Sequence, residues 1–415
     1  MPVRSRSAEV ERQLQAIRSG IEELIPEEEL VRKLERSIAS GTPLRVKQGF
    51  DPTAPDIHLG HTIGLRKLRQ FQELGHQVVL IVGSYTALVG DPSGRSQTRP
   101  TLTEEEVNAN AQTYLDQFFK VVDKSKTEVR WNGEWFKAMS FVDVLRLTSR
   151  FTVARILERD DFSIRFKAGE PISVHELLYP LMQAYDSVVI RADVEIGATE
   201  QKFNLLAGRD IQTAYDVEPQ VILTLPVLEG LDGVRRMSKS LGNYIGIAEP
   251  PKEIYGKVMS LPDKLIERYL RLVTDASSGE IEEVARALRA GDSNPMTWKK
   301  ALAHRLVRMY HGSRAADFAQ SEFEKQFSRR ELPSELPTVE VPSGAVRARD
   351  LVMLAFPNQY TGSSAGSLFK QGAVHLNGER VTDVTKELRL GEGPGALPEV
   401  IVKVGRKIAR VVPKG

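Results

Sequence analysis

Two histidines three positions apart, His58 and His61, flank Gly60 in the run His58-Leu59-Gly60-His61. On a helical turn that spacing puts both rings on one face. They follow a strand-like run, Leu44-Arg45-Val46-Lys47-Gln48, ending at Gly49, and then the turn Asp51-Pro52-Thr53-Ala54-Pro55. Rings so placed stand at a helix N-terminus, just beyond the carboxyl end of a strand. Open α/β sheets take ligands there, and the helix end favours phosphate. Gly60 removes a side chain, so a flat ring could approach the backbone. An isolated histidine pair is more often a cap or a surface feature; the glycine and the strand favour a site.

Far along the chain, Arg236-Met237-Ser238-Lys239-Ser240 follows the turn Leu231-Asp232-Gly233 and closes at Leu241-Gly242-Asn243. A mobile ammonium between two small hydroxyl donors suits a polyphosphate clamp, although a single lysine is more often merely exposed. Tyr179, Gln183 and Asp186 recur at i, i+4 and i+7 on an otherwise apolar run of Leu177, Leu178, Leu181 and Met182. Such a polar stripe needs partners. A bound amino acid with a polar tip would supply them, and so would an internal network. Pro180 predicts a kink or an irregular first turn there. No nucleophile or metal cage is visible.

The elements that must position these groups read as α/β. Leu44–Gln48 and Gln77–Val82 are strand-like and Thr62–Leu74 is helical, a βαβ unit that implies a parallel sheet. Val188–Val194 and Val221–Leu225 are further strand candidates. Leu102–Val122, Ser140–Arg159 and Val174–Asp186 have helical spacing and read as a helical insertion, at about 95–187, in a sheet domain of 1–246. Helices dominate 247–327. A linker with Pro333, Pro337 and Pro342 covers 328–344. The last module, 345–415, has two short helices, a hairpin at Asn377-Gly378 and a second hairpin at Gly405-Arg406-Lys407. The fingerprint G-x-G-x-x-G is absent, so a nicotinamide-binding domain is not supported.

Composition narrows the class. A hydrophobic content of 41% with 27% charged residues is that of an ordinary soluble protein, and no stretch is apolar for the length of a membrane span. The N-terminus lacks the apolar core of a secretory signal. Cysteine is absent, which excludes disulfides and thiolate metal sites and fits a cytoplasmic location. Residues 341–415 carry 11 basic and 6 acidic residues, net +5, which leaves −3 for the rest. A basic tail module suggests a polyanion partner.

The two distant motifs together resemble the ATP-handling signatures of class I aminoacyl-tRNA synthetases. Over nearly its whole length the chain resembles the bacterial-type tyrosyl-tRNA synthetases. The resemblance rests on Gly49-Phe50-Asp51-Pro52-Thr53-Ala54, His58 to His61, Gly90-Asp91-Pro92-Ser93-Gly94, Tyr179 to Asp186, Gly197-Ala198-Thr199-Glu200-Gln201 and Met237 to Ser240. It implies a Rossmann-like catalytic domain, a helical anticodon-binding domain and an S4-like RNA-binding module, in a homodimer. It implies ATP-dependent joining of tyrosine to tRNA(Tyr), with Mg2+ carried by ATP. Catalysis would fall to His58, His61, Arg236 and Lys239. ATP would meet Gly49, Asp51, Thr53, Gly60, Gly197, Glu200, Met237, Ser238 and Ser240 as well. Asp91, Tyr179, Gln183 and Gln201 would hold the α-ammonium side of tyrosine, and Asp186 its phenol hydroxyl. Arg347, Arg349, Lys370, Arg380, Arg406 and Lys407 would face RNA.

Four departures stand out. Lys47 replaces a tyrosine that many relatives use near the phenol, so its role is open: it could pair with Asp186, reach the phenol oxygen or point to solvent. Glu200 replaces an aspartate, and Arg236 a lysine. Ser363-Ser364-Ala365-Gly366 lacks the arginine common in the second helix of S4 modules. The rival readings are a tryptophan-type synthetase and a synthetase-derived RNA-binding protein without charging activity.

Overall fold

Apolar, β-branched runs make the middle of the main sheet. Its strands are β1 (Glu23–Ile25), β2 (Arg45–Phe50), β3 (Gln77–Val82), β4 (Thr127–Trp131), β5 (Val194–Ala198) and β6 (Val221–Leu225), in the order β1-β6-β5-β2-β3-β4. β2 to β6 pair in parallel, and β1 runs antiparallel to β6. β6 is buried throughout and β3 at all but its first residue, as strands covered on both faces should be. This is a computed structural model, and it describes residues 7–52, 56–90, 103–291, 293–325, 336–405 and 407–414. Thr53, Asp91 and Arg406 lie outside the described residues, as do the rest of the Gly90–Gly94 motif after Gly90 and Pro333 of the expected linker.

Helices flank the sheet: α1 (Ala8–Arg18), α2 (Glu27–Ser40), α3 (Leu59–Glu73), α4 (Thr86–Val89), α5 (Glu104–Phe118), α6 (Gly133–Phe136), α7 (Phe141–Thr148), α8 (Val153–Ile156), α9 (Asp160–Lys167), α10 (Tyr179–Val189) and α11 (Lys202–Ala214). The run expected as one helix over Ser140–Arg159 is two, because Ser140 and Thr152 each cap a separate start. Pro180 falls in the first turn of α10, after a 3-10 turn over Val174–Leu178. A missing N–H costs nothing there, so the entry is irregular and the helix is not broken.

Two expectations about the main sheet are corrected. The strand expected over Val188–Val194 begins only at Val194, and α10 runs on to Val189. Val188 and Val189 pack in hydrophobic clusters under that helix, so their branched side chains serve helix packing. The expected helical insertion also contains a sheet strand, β4, paired in parallel with β3. Its residues Thr-Glu-Val-Arg-Trp are all half-buried, as on a sheet edge, which hides the apolar run that marks inner strands.

After the sheet come α12 (Pro251–Met259), α13 (Ile266–Val273), α14 (Ser278–Ala290), α15 (Pro295–His311) and α16 (Ser313–Phe323). Residues 1–320 form one compact unit and 321–415 a second. The second holds β7 (Thr338–Val341), β8 (Gly344–Arg347), α17 (Ala348–Ala355), α18 (Gly362–Lys370), β9 (Val374–Leu376), β10 (Glu379–Arg380), β11 (Glu387–Leu390), β12 (Val400–Val404) and β13 (Lys407–Pro413). Asn377 and Gly378 both take positive φ in the β9–β10 turn, as a tight hairpin requires. β7 lies in the stretch expected as linker. Its Thr-Val-Glu-Val alternation pairs in parallel with β13, and Pro337 and Pro342 stand just outside it. Val352, Phe369 and Val402 are central to this unit's own core.

Candidate active site

The ends of β2 and β5 and the start of α3 surround a cavity of about 240 Å³. Gly49, Asp51, Gly60, His61, Tyr179 and Gln201, all named from sequence, line it. A larger cavity of about 580 Å³ lies between α9 and α11 and reaches this region only at Thr199 and Glu200. Size favours the second, but His61, Asp51, Tyr179 and Gln201 line the first; His58, Lys239, Gln183 and Asp186 are not among the lining residues of either.

His58 caps α3 and His61 sits in its first turn. Their rings stack with centroids 3.7 Å apart and planes 18° apart. The His58 backbone N–H donates to His61 Nδ1 at 3.3 Å, which places the His61 ring proton on Nε2. His58 Nδ1 is buried with no hydrogen-bond partner. Burial, helped by the cationic Lys239, pushes His58 down to about 2 and His61 down to about 4. Both rings are therefore neutral at neutral pH, each with one N–H to give. A β-carbon on Gly60 would sit 3.1 Å from the His58 ring, a tight contact that the ring would have to yield to by a few tenths of an ångström.

The Lys239 loop is tied at both ends. The Met237 N–H donates to the Leu228 carbonyl at 2.7 Å and its side chain is buried. Asn243 Oδ1 accepts from the Ser238 N–H at 2.8 Å, and Asn243 Nδ2 donates to Asp232 at 2.9 Å. Beyond the loop, the Leu59 N–H donates to the Ile245 carbonyl and the Ile247 N–H to that of Ile57, each at 2.9 Å. The loop and the histidine motif are thus one construction, although 180 residues separate Leu59 from Lys239. Lys239 Nζ lies 3.6 Å from Asp56 Oδ2 and makes no hydrogen bond. Burial lowers its pKa from the ordinary lysine value. The Ser238 and Ser240 hydroxyls are 2.9 Å apart. Arg236 pairs with Glu200 at 2.6 Å, so the two departures from the family pattern meet.

On the other side, Tyr179 donates its hydroxyl to Asp51 Oδ2 at 2.8 Å and Thr86 donates to Oδ1 at 2.8 Å. A β-carbon on Gly83 would sit 2.0 Å from that Oδ1, so only glycine admits the carboxylate. Gln201 Oε1 accepts the Ala198 N–H at 3.1 Å. Further along α10, Asp186 is buried and accepts from Trp135 Nε1 at 2.9 Å and, weakly, from Asn132 Nδ2 at 3.4 Å. Burial pushes its carboxyl up to about 7, against the opposing pull of Lys47 and of these two donors. A carboxylate has about four acceptor positions, so two donors leave room for a third. Gln183 belongs to an internal network: its Nε2 donates to Glu195 at 2.9 Å and its Oε1 accepts from Asn204 at 2.9 Å.

Lys47 neither points to solvent nor pairs with Asp186. It is fully buried and pairs with Glu195 at 2.8 Å. Glu195, Asn204, Asn132, Trp135, Thr86 and Gly83 were not singled out from sequence. Glu195 alone carried a signal, a charge between valine and isoleucine in Val194-Glu195-Ile196, opposite an equally unexpected lysine in a buried strand. In the second unit Arg347, Lys370, Arg380 and Lys407 are exposed and Arg349 is half-buried. Lys407 reaches Gln359 and lies over the Tyr360 ring, 5.4 Å from its centroid.

A family model for "tRNA synthetases class I (W and Y)" matches residues 39–328. A tyrosine--tRNA ligase of Carboxydothermus hydrogenoformans is 50% identical over 403 residues, 96% of this chain and 97% of that protein. One of Moorella thermoacetica is 51% identical over 97% of this chain and 96% of its own. Among solved structures, a tyrosyl-tRNA synthetase from Archaeoglobus fulgidus complexed with L-tyrosine superposes with a TM-score of 0.63 at 25% identity, over 74% of this chain and 99% of that one. The neutral histidine pair, the tethered lysine loop and the polar face of α10 are therefore found in a chain that belongs to the class I tRNA synthetases, in the family of tyrosine--tRNA ligases.

Proposed function

We infer that this chain is a tyrosine–tRNA ligase that first forms tyrosyl-adenylate from tyrosine and ATP. Asp186, with its unused acceptor capacity on a buried helix face, carries the choice of tyrosine. A phenol hydroxyl donates to it; phenylalanine leaves a buried carboxylate short of a donor, at a desolvation cost. Tyr179, Gln183 and Gln201, with Asp91, hold the ammonium end of the amino acid, and Asp51, on the ATP side, accepts from the Tyr179 hydroxyl. The neutral rings of His58 and His61, the N-terminus of α3 and Lys239 suit ATP: one imidazole nitrogen and one ammonium are buried there without hydrogen-bond partners. Mg2+ arrives as the counter-ion of the phosphates. Gly49, Gly60, Gly197 and Met237 bound the adenosine side; Thr53, Glu200, Ser238 and Ser240 supply polar contacts.

The tyrosine carboxylate oxygen attacks the α-phosphorus, and the bond to the bridging oxygen breaks with its electron pair leaving on pyrophosphate. No protein nucleophile is needed. The chain aligns the two reactants and meets negative charge developing on phosphate oxygens with His58, His61, Arg236 and Lys239. A terminal hydroxyl of tRNA(Tyr) then attacks the activated carbonyl and AMP leaves. Residues 247–327 serve as the anticodon-binding domain, and 345–415, with Arg347, Arg349, Lys370, Arg380, Arg406 and Lys407, as the S4-like RNA-binding domain. Phe141, Val153, Ile164, Phe166 and Val174, on and beside α7 to α9, are each exposed, and in this reading a second copy covers them in a homodimer. Sedimentation of Ile164→Asp/Phe166→Asp as a monomer tests that pairing. Among the described residues no helix is long and apolar enough to cross a membrane, and the enzyme works in the cytoplasm.

ATP–pyrophosphate exchange with each amino acid tests the activity. Exchange with tyrosine supports it; exchange with tryptophan alone favours the tryptophan-type reading, and none with any amino acid the non-charging RNA-binding protein. Asp186→Ala narrows the tyrosine-to-phenylalanine ratio of kcat/KM; an unaltered ratio removes α10 as the side-chain pocket.

A further inference from the structure

Lys47 and Glu195 are directly opposed in the register of neighbouring parallel strands β2 and β5. Both are buried, at 0% and 1% exposure, a costly arrangement unless every polar atom is satisfied. Here they are satisfied. Lys47 Nζ donates to Glu195 at 2.8 Å, to the Gln183 carbonyl at 2.8 Å and to Ser187 Oγ at 2.7 Å. Glu195 also accepts from Gln183 Nε2 at 2.9 Å, from Ser187 Oγ at 3.1 Å and from Gln220 Nε2. The pair therefore grips Gln183 by both its backbone and its side chain, and Ser187 from both ends of the ion pair. Asp186 lies between those two residues on the same helix. The other groups facing it are the neutral donors Trp135 and Asn132. Lys47 from β2 and Glu195 from β5 are the charged groups acting on it, with opposite signs.

We propose that the Lys47–Glu195 pair is a specificity-determining positioning pair, which fixes the turn of α10 bearing Asp186 and sets whether that carboxyl meets the substrate as an anion. The proposal rests on Asp186 being the phenol acceptor. An ionised carboxylate left without a donor is penalised more than a neutral acid, so the anionic form rejects phenylalanine more strongly. Lys47 favours the anion across a dry interior and Glu195 opposes it. The balance replaces a direct contact to the phenol from the Lys47 position: this chain tunes the acceptor from behind.

The test uses the full-length chain with Lys47→Met, Glu195→Gln, the double variant and Asp186→Asn. The readout is kcat/KM in ATP–pyrophosphate exchange for tyrosine and phenylalanine between about pH 6 and pH 9. In the unaltered chain the selectivity ratio rises with a midpoint near the Asp186 value of about 7. Lys47→Met moves that midpoint up by about one pH unit or more, and Glu195→Gln moves it down. The double variant returns towards the starting midpoint. A pair that served packing alone would lower kcat/KM without moving the midpoint. Midpoints that stay put, or move in the same direction, overturn the proposal. Should Lys47→Met fail to fold, the direction of the Glu195→Gln shift decides. If Asp186→Asn collapses the ratio while the other variants keep the original profile, the pair's role fails and the Asp186 reading stands. If Asp186→Asn leaves the ratio intact, the Asp186 reading itself fails.

Discussion

Asp186→Asn should make the unliganded protein more stable at alkaline pH while ruining its choice of amino acid. In the folded chain this carboxyl titrates at about 7, against an ordinary 3.8, because burial penalises its charge more than Lys47, Trp135 and Asn132 favour it. Below the ordinary value the folded and unfolded chains both hold the proton, and Asp186 costs nothing. As pH rises from 3.8 towards 7 the unfolded chain releases the proton and the folded chain keeps it, so stability falls. At 1.36 kcal/mol per pH unit, the loss is roughly 1–2 kcal/mol at pH 5 and reaches about 4 kcal/mol by pH 8. That is an upper limit, since a charged group draws water and dipoles towards itself. Asparagine has no proton to lose, and its carbonyl still accepts from Trp135. The stability gained by Asp186→Asn should therefore grow by roughly 2–3 kcal/mol between pH 5 and pH 8. Thermal unfolding without ligands, on both proteins in matched buffers, reads this as a widening gap in Tm. A gap that is constant with pH, or one that narrows, would refute the assignment of Asp186 as a carboxyl held protonated by its surroundings.

Lys239→Ala should slow ATP–pyrophosphate exchange by roughly 10²–10³ and leave tyrosine binding, measured by equilibrium dialysis, near its original value, since the ammonium acts on charge that develops only in the transition state. Gly83→Ala should weaken tyrosine binding and cost about 1–3 kcal/mol of stability, because the new carbon would sit 2.0 Å from the Asp51 oxygen and part it from Thr86 and Tyr179; normal binding and Tm would show that the carboxylate has room to move. Truncation after Leu336 removes β7 and the rest of the second unit's sheet; adenylate formation should persist, tRNA charging should fall, and tRNA binding should lose part of its salt dependence. Normal charging by the truncated chain would give that unit another role.

The inner strands and the motif residues were legible because their physics is local. Gln77–Val82 is apolar after its first residue and Val221–Leu225 is apolar apart from Thr224, the mark of strands covered on both faces. The Asn377-Gly378 turn announced its hairpin by the positive φ that those two residues accept. Elements whose stability comes from a neighbour were not legible. β1 has three residues and exists by pairing with β6, β4 is a half-polar edge, and β7 needs β13. Val188 and Val189 look like strand and lie in a helix, because the cluster beneath α10 outweighs the preference of two residues. The site divides in the same way. Residue type, spacing and motif context brought His58, His61 and Lys239 forward as donors to phosphate, and the family resemblance gave Asp186 the phenol hydroxyl. Their charge states came only from the fold: burial keeps the histidines neutral, each with one ring N–H, and holds a proton on Asp186 up to about pH 7. Lys47 shows the limit most plainly. Its sequence neighbours say that it is in a strand, but its partner, 148 positions away, is chosen by a crossover that lays β5 beside β2, and no local pattern encodes that adjacency.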